Sequence, residues 1–189
     1  MPSVEFSPED AIRQCLGGPC DGLIEERIIA TAWRQPAEQA ISYEDACLLS
    51  ALTIALKPAF ILESGSGYST LAFVHGLDIV GAGRLVSVET NADWAAEVRA
   101  HLVGPVRLRV NVGGIAAWRG ETPDIVFLDS AQPVREREIT RWLSEPVLLI
   151  VHDANRSDST PELPDDGWRV DTPQGLWMRD WRPRRFERR

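Results

Sequence analysis

Cysteine, lysine and long apolar runs are all scarce in this chain. Only Cys15, Cys20 and Cys47 are present among 189 residues. Their odd number and spacing suit neither a disulfide framework nor a zinc site, which excludes a disulfide-stapled scaffold and points to a reducing compartment. No apolar run is long enough to cross a bilayer, and the opening Met1-Pro2-Ser3-Val4-Glu5-Phe6-Ser7 lacks the basic and apolar regions of a secretory signal. The expectation is a cytoplasmic protein with no membrane partner. Positive charge is the minority sign, with a formal net charge of −8 and Lys57 as the one lysine. Such a balance repels nucleic acid and anionic membranes at long range. The arginine-rich tail, 182–189, is read as a solvated end without a function of its own.

What is present fits one ordinary globular domain, since 44% hydrophobic and 25% charged residues can form a continuous core without staples. The order of elements divides 1–189 into a helical part (1–57), a sheet core (58–181) and the basic tail. Ser7 before Pro8 can open one helix, and Asp21 can cap another running toward Trp33. Ser42-Tyr43-Glu44-Asp45 has capping-box spacing, and Ala46, Leu48, Leu49, Leu52, Ala55 and Leu56 follow with helical period up to Lys57-Pro58.

From Ala59 onward, short apolar runs alternate with helix-like stretches. The runs are Phe60-Ile61-Leu62, Leu85 to Val88, Val106 to Val110, Ile125 to Leu128 and Val147 to Val151. Strands separated by crossovers predict a parallel sheet with helices on both faces, a Rossmann-like doubly wound α/β fold. The third run alternates with Arg107 and Arg109, which predicts an edge position. Trp168-Arg169-Val170, a turn around Pro173-Gln174-Gly175, and Leu176 to Trp181 predict a C-terminal antiparallel hairpin.

Ligands of such sheets bind beyond the carboxyl ends of the strands, so the residues after each strand are the candidates for function. The first strand runs into Glu63-Ser64-Gly65-Ser66-Gly67-Tyr68-Ser69-Thr70, where two glycines permit a tight turn and close ligand approach. Glu63 can hold a cation there. The second strand ends in Glu89, whose carboxylate can accept from both hydroxyls of a ribose. A dinucleotide and S-adenosylmethionine both fit this much. Against the dinucleotide, the third glycine of G-x-G-x-x-G is replaced by Thr70, and Glu63 would repel a pyrophosphate while attracting a sulfonium compound with a free amino group.

Phe60 to Thr70, with its E-x-G-x-G-x-S-T loop, resembles motif I of class I S-adenosylmethionine-dependent methyltransferases, particularly small bacterial O-methyltransferase-like members. The resemblance extends by order of elements from Ser42 to Trp181. It implies a seven-stranded sheet with a terminal hairpin, and S-adenosylmethionine as cofactor. It further implies that Gly65 and Gly67 line that cofactor with Ser64 and Ser66, and that Glu63 and nearby backbone groups address its amino-acid part. Ser69 or Thr70 would lie beside the cofactor carboxylate, and Glu89 would bind its ribose. One departure is Asn111-Val112-Gly113-Gly114, where many members carry an acidic residue for the adenine amino group.

The fourth strand ends Leu128-Asp129-Ser130 and the fifth Val151-His152-Asp153-Ala154-Asn155, which brings polar groups to the same rim. Asp129, Asp153 and Asn155 resemble the oxygen ligands with which catechol-type O-methyltransferases hold a divalent cation, and three such ligands would suit Mg2+. Here Ala154 separates the last two, and no lysine base is near. The metal-free alternative makes Asp129 or His152 the general base. His75 and His101 fall on helical stretches away from this rim, and the tryptophans read as packing. The polar stretch 156–166 can shape an acceptor pocket. The resemblance, with the acidic balance and compact size, implies O-methylation of a small molecule. An NAD-type oxidoreductase and a non-catalytic cofactor-binding module stand as alternatives.

Overall fold

A computed structural model describes residues 41–102, 106–154, 163–170 and 175–180. The predicted helices before residue 41, the tail, Asn155 and most of the polar stretch after it lie outside those residues.

Helix α1 spans Tyr43–Leu56. Ser42 caps it as its sequence spacing predicts, accepting from the Asp45 amide at 3.1 Å while its hydroxyl donates to the Asp45 carboxylate at 2.7 Å. Lys57, left-handed at φ 47°, ends it before Pro58. The chain continues through β1 (Phe60–Ser64), α2 (Tyr68–Val80), β2 (Arg84–Glu89), α3 (Ala92–His101), β3 (Val106–Val110), β4 (Ile125–Leu128), α4 (Val134–Trp142), β5 (Leu148–His152), β6 (Trp168–Val170) and β7 (Leu176–Asp180).

The strands form one seven-stranded sheet in the order β3-β2-β1-β4-β5-β7-β6. β1 to β5 pair in parallel, and β7 runs antiparallel between β5 and β6. The predicted strands and the terminal hairpin are therefore all found, and β3 is the edge, with Arg107 and Arg109 exposed. The stretch between β3 and β4 is different. It forms turns over 112–117 and irregular chain up to 124, with no helix, because the Asn111 side chain closes a turn on Gly113 and Gly114 and two consecutive glycines disfavour a helix.

Strand alternation assigns each residue of β1 to a face. Ile61 packs with Ile125, Phe127, Leu148 and Ile150 against α1 and α2. Phe60 and Leu62 pack with Val126, Leu128, Leu149 and Val151 against Ile139 and Trp142 of α4. Each such side chain contributes roughly 1.5–3 kcal/mol by leaving water. The same alternation carries Glu63 to the α2 face and Ser64 to the α4 face, and that sets up the site. The strand order reverses between β1 and β4, so the loops leaving these two strands open a crevice at the carboxyl edge.

Candidate functional site

That crevice is a cavity of about 410 Å³. The glycine loop, Glu89 with Thr90 and Asn91, and Trp94 line one side, while Asp129, Ser130, Arg135, His152 and Asp153 line the other.

The loop leaves β1 at Gly65, whose φ of +87° is a conformation that side-chain-bearing residues rarely adopt. A Cβ there would also stand 2.5 Å from the Asp129 carbonyl oxygen. Beyond the loop, Thr70 accepts from the Gly67 amide at 3.0 Å and donates to Glu63 at 2.7 Å. Ser69 donates to the other Glu63 oxygen at 2.6 Å. Glu63 is fully buried, and burial pushes its carboxyl from 4.5 up to about 7, against hydroxyl donors including Ser87 that pull it down. The structure therefore places Glu63 and Thr70 beneath the loop, where they hold its shape, whereas Gly65, Ser66, Gly67 and Ser69 reach the cavity. Ser64 points the other way and donates to Glu138 of α4 at 2.6 Å.

Glu89 serves the loop as well as the cavity. One oxygen accepts from the Ser66 amide at 3.0 Å, and the other accepts from the amides of Thr90 and Asn91 at 2.7 and 2.9 Å. Asn91 caps α3 by accepting from the Asp93 and Trp94 amides. This orients Trp94, whose indole N–H donates to the Ser66 carbonyl at 2.7 Å. Sequence reasoning treated Trp94 as packing only. Its position one turn into a helix that starts at the cavity edge was the available signal.

The opposite wall is an ionic cluster. His152 Nδ1 lies 2.9 Å from Asp129 Oδ1, and Nε2 lies 3.6 Å from Asp45 Oδ2 of α1. Burial disfavours the charged ring, but Asp129, Asp45 and Asp153 together outweigh it and push its pKa to about 10. These carboxylates favour the protonated ring, and Nδ1 donates to Asp129. Asp153 follows at φ 56°, a left-handed turn that brings its carboxylate back toward Asp129.

Arg135 joins these groups. Its Nη2 donates to Asp129 Oδ1 at 3.1 Å, its Nε to the Ser130 carbonyl at 2.6 Å and its Nη1 to the His152 carbonyl at 3.4 Å. Nη1 also lies 3.7 Å from Asp153 Oδ2. One turn on, Glu138 accepts from the hydroxyls of Ser64 and Ser130 and from the Ile115 amide at 2.6, 2.5 and 2.6 Å. Burial raises its carboxyl above the ordinary value despite these donors. Neither residue was singled out from sequence. The signal was their spacing, since Arg135, Glu138, Ile139 and Trp142 fall at i, i+3, i+4 and i+7, on one buried face of α4.

His75 sits between α1 and α2, with Nδ1 2.8 Å from the Ser50 hydroxyl. It is absent from the cavity lining.

Among solved structures the chain has the fold of S-adenosylmethionine-dependent methyltransferases, the mixed α/β sheet of class I. It is similar to the S-adenosylhomocysteine-bound methyltransferase PaMTH1 of Podospora anserina, with TM-score 0.65, 19% identity, 96% of this chain and 99% of that one covered. The O-methyltransferase TomG of Streptomyces achromogenes, in complex with S-adenosylmethionine, matches with TM-score 0.58 and 18% identity over 92% and 97% of the two chains. An O-methyltransferase of Bacillus cereus bound to S-adenosylhomocysteine matches with TM-score 0.58 and 21% identity over 82% and 88%. No family model and no curated protein matches by sequence.

Proposed function

We propose that the protein is an S-adenosylmethionine-dependent methyltransferase acting on an oxygen of a small molecule. The observation that carries this reading is the glycine loop, where Gly65, at φ +87° and packed on the Asp129 backbone, turns the chain so that Gly65, Ser66, Gly67 and Ser69 line the cavity. It is bounded by Glu89, a carboxylate suited to a ribose diol, and the cavity volume of about 410 Å³ lies in the range of small-molecule sites. The fold of cofactor-bound methyltransferases supports it. The net charge of −8 favours a small acceptor over nucleic acid, and the cysteine usage favours a cytoplasmic setting. Among the described residues no helix is long and apolar enough to cross a membrane.

The cofactor supplies an electrophilic methyl carbon on a sulfonium. Gly65, Ser66, Gly67, Ser69 and Glu89 would hold it, and it would pass its methyl group to an acceptor oxygen while the carbon–sulfur electron pair stays on sulfur and the acceptor proton leaves. Asp129 is the group assigned to take it. His152 and Arg135 both donate to Asp129 Oδ1, which fixes the carboxylate at the end of β4. With Nδ1 donating to Asp129 Oδ1, the role given to His152 is to position Asp129. Much of the rate then comes from alignment of the two reactants.

The test is release of S-adenosylhomocysteine from S-adenosylmethionine in the presence of a panel of phenols and hydroxy acids. Acceptor-dependent release that is lost in Asp129→Asn is expected. No release with any acceptor, together with tight cofactor binding, would instead favour the non-catalytic module.

A further inference from the structure

We infer that Arg135 is the resident cation of this site, occupying the place between Asp129 and Asp153 where a divalent ion would otherwise sit. The inference deepens the methyltransferase reading and rests on it for its catalytic meaning, although its geometry stands independently.

Asp129, His152 and Asp153 bring potential ligand atoms within 4.8 Å of one another, so the cluster has the outline of a metal site. Its carboxylates are already spanned. Arg135 reaches Asp129 at 3.1 Å and Asp153 at 3.7 Å with a side chain that is 6% exposed. Its guanidinium cannot lose its proton, so the positive charge is permanent. A Mg2+ ion needs contacts of about 2.1 Å. On Asp129 Oδ1 it would fall within about 5 Å of Nη2, two like charges in a largely buried pocket.

Nor is the arginine placed to withdraw. Its Nε and Nη1 hold the carbonyls of Ser130 and His152, and moving it would strand both carbonyls and a buried cation. Its own helix is fixed on the same face by Glu138. Among the described residues the donor set therefore does not fit a divalent metal. Methyl transfer here proceeds without one, and the acceptor needs a single hydroxyl rather than a chelating pair.

The deciding experiment is Mn2+ titration of the full chain, without cofactor or acceptor, followed by the electron paramagnetic resonance signal of the free ion. Failure of the methyltransferase reading would leave this readout untouched. Wild type and Asp153→Asn are expected to bind Mn2+ equally weakly. Arg135→Met should gain at least about ten-fold in affinity by removing the repulsion, and Arg135→Lys should stay at the wild-type level. Wild-type binding that weakens in Asp153→Asn overturns the proposal, as does a folded Arg135→Met that binds no better than wild type. Should Arg135→Met fail to fold by near-ultraviolet circular dichroism, the wild-type and Asp153→Asn pair decides alone.

Discussion

Both sides of the cavity hold carboxylates at or behind the lining, and they satisfy them by opposite means. On the glycine-loop side, Glu63 and Glu89 are met by hydroxyls and backbone amides. On the β4–β5 side, Asp129 and Asp153 are met by Arg135 and His152. Neutral donors fix the shape of a loop without adding positive charge to it, which suits the binding of a cationic ligand. Cationic donors neutralise the wall and hold one carboxylate ionised and in a set orientation, which suits accepting a hydrogen bond from an acceptor hydroxyl. On the proposed function, the first wall binds and the second does the chemistry.

The sharpest way to break this division is Asp129→Asn. Turnover should fall by about 10²- to 10⁴-fold, the usual worth of a general base, while S-adenosylhomocysteine affinity measured by calorimetry stays essentially unchanged. Comparable losses in both would merge the two walls into one function. Next in size is Glu138→Ala, which strands the Ile115 amide and the hydroxyls of Ser64 and Ser130. Urea unfolding should show a loss of about 2–4 kcal/mol, and an unchanged midpoint would remove Glu138 as the tie between the walls.

Glu89→Gln should weaken S-adenosylhomocysteine binding by about ten-fold, near 1.4 kcal/mol, since a charged acceptor is exchanged for a neutral one. Turnover at saturating cofactor should hold. The smallest effect is a change of pH profile. Glu63 has its carboxyl raised from 4.5 to about 7, so the folded protein binds this proton more tightly than the unfolded chain. That stabilisation is complete below about 4.5 and is lost as pH rises through about 7. Glu63→Gln should flatten the denaturant-midpoint curve between those values, and a slope equal to wild type would place the titration elsewhere.

The strands of this protein were legible because they are short apolar runs, and the glycine loop because its chemistry follows a strand directly. The charged wall was half legible. Asp129, His152 and Asp153 stand at strand ends, where a parallel sheet gathers ligands, but Arg135 and Glu138 lie in Val134-Arg135-Glu136-Arg137-Glu138, which reads as a solvated helix face. Only the position of α4 beneath the crevice buries them. Glu63 was legible as a site residue, and its attention to Ser69 and Thr70 follows from strand alternation, which turns it toward α2 and away from the cavity lining. The turns at 112–117 reflect local Asn and Gly chemistry that overrode the expectation of a helix in every crossover.

The account depends most on the glycine cradle, and calorimetric titration with S-adenosylhomocysteine and with NAD, in wild type and in Gly65→Arg, tests it directly. Micromolar binding of S-adenosylhomocysteine by wild type, lost in Gly65→Arg because the new side chain would collide with the Asp129 backbone, is the predicted result. Binding of NAD alone, or S-adenosylhomocysteine binding that survives Gly65→Arg, would contradict it.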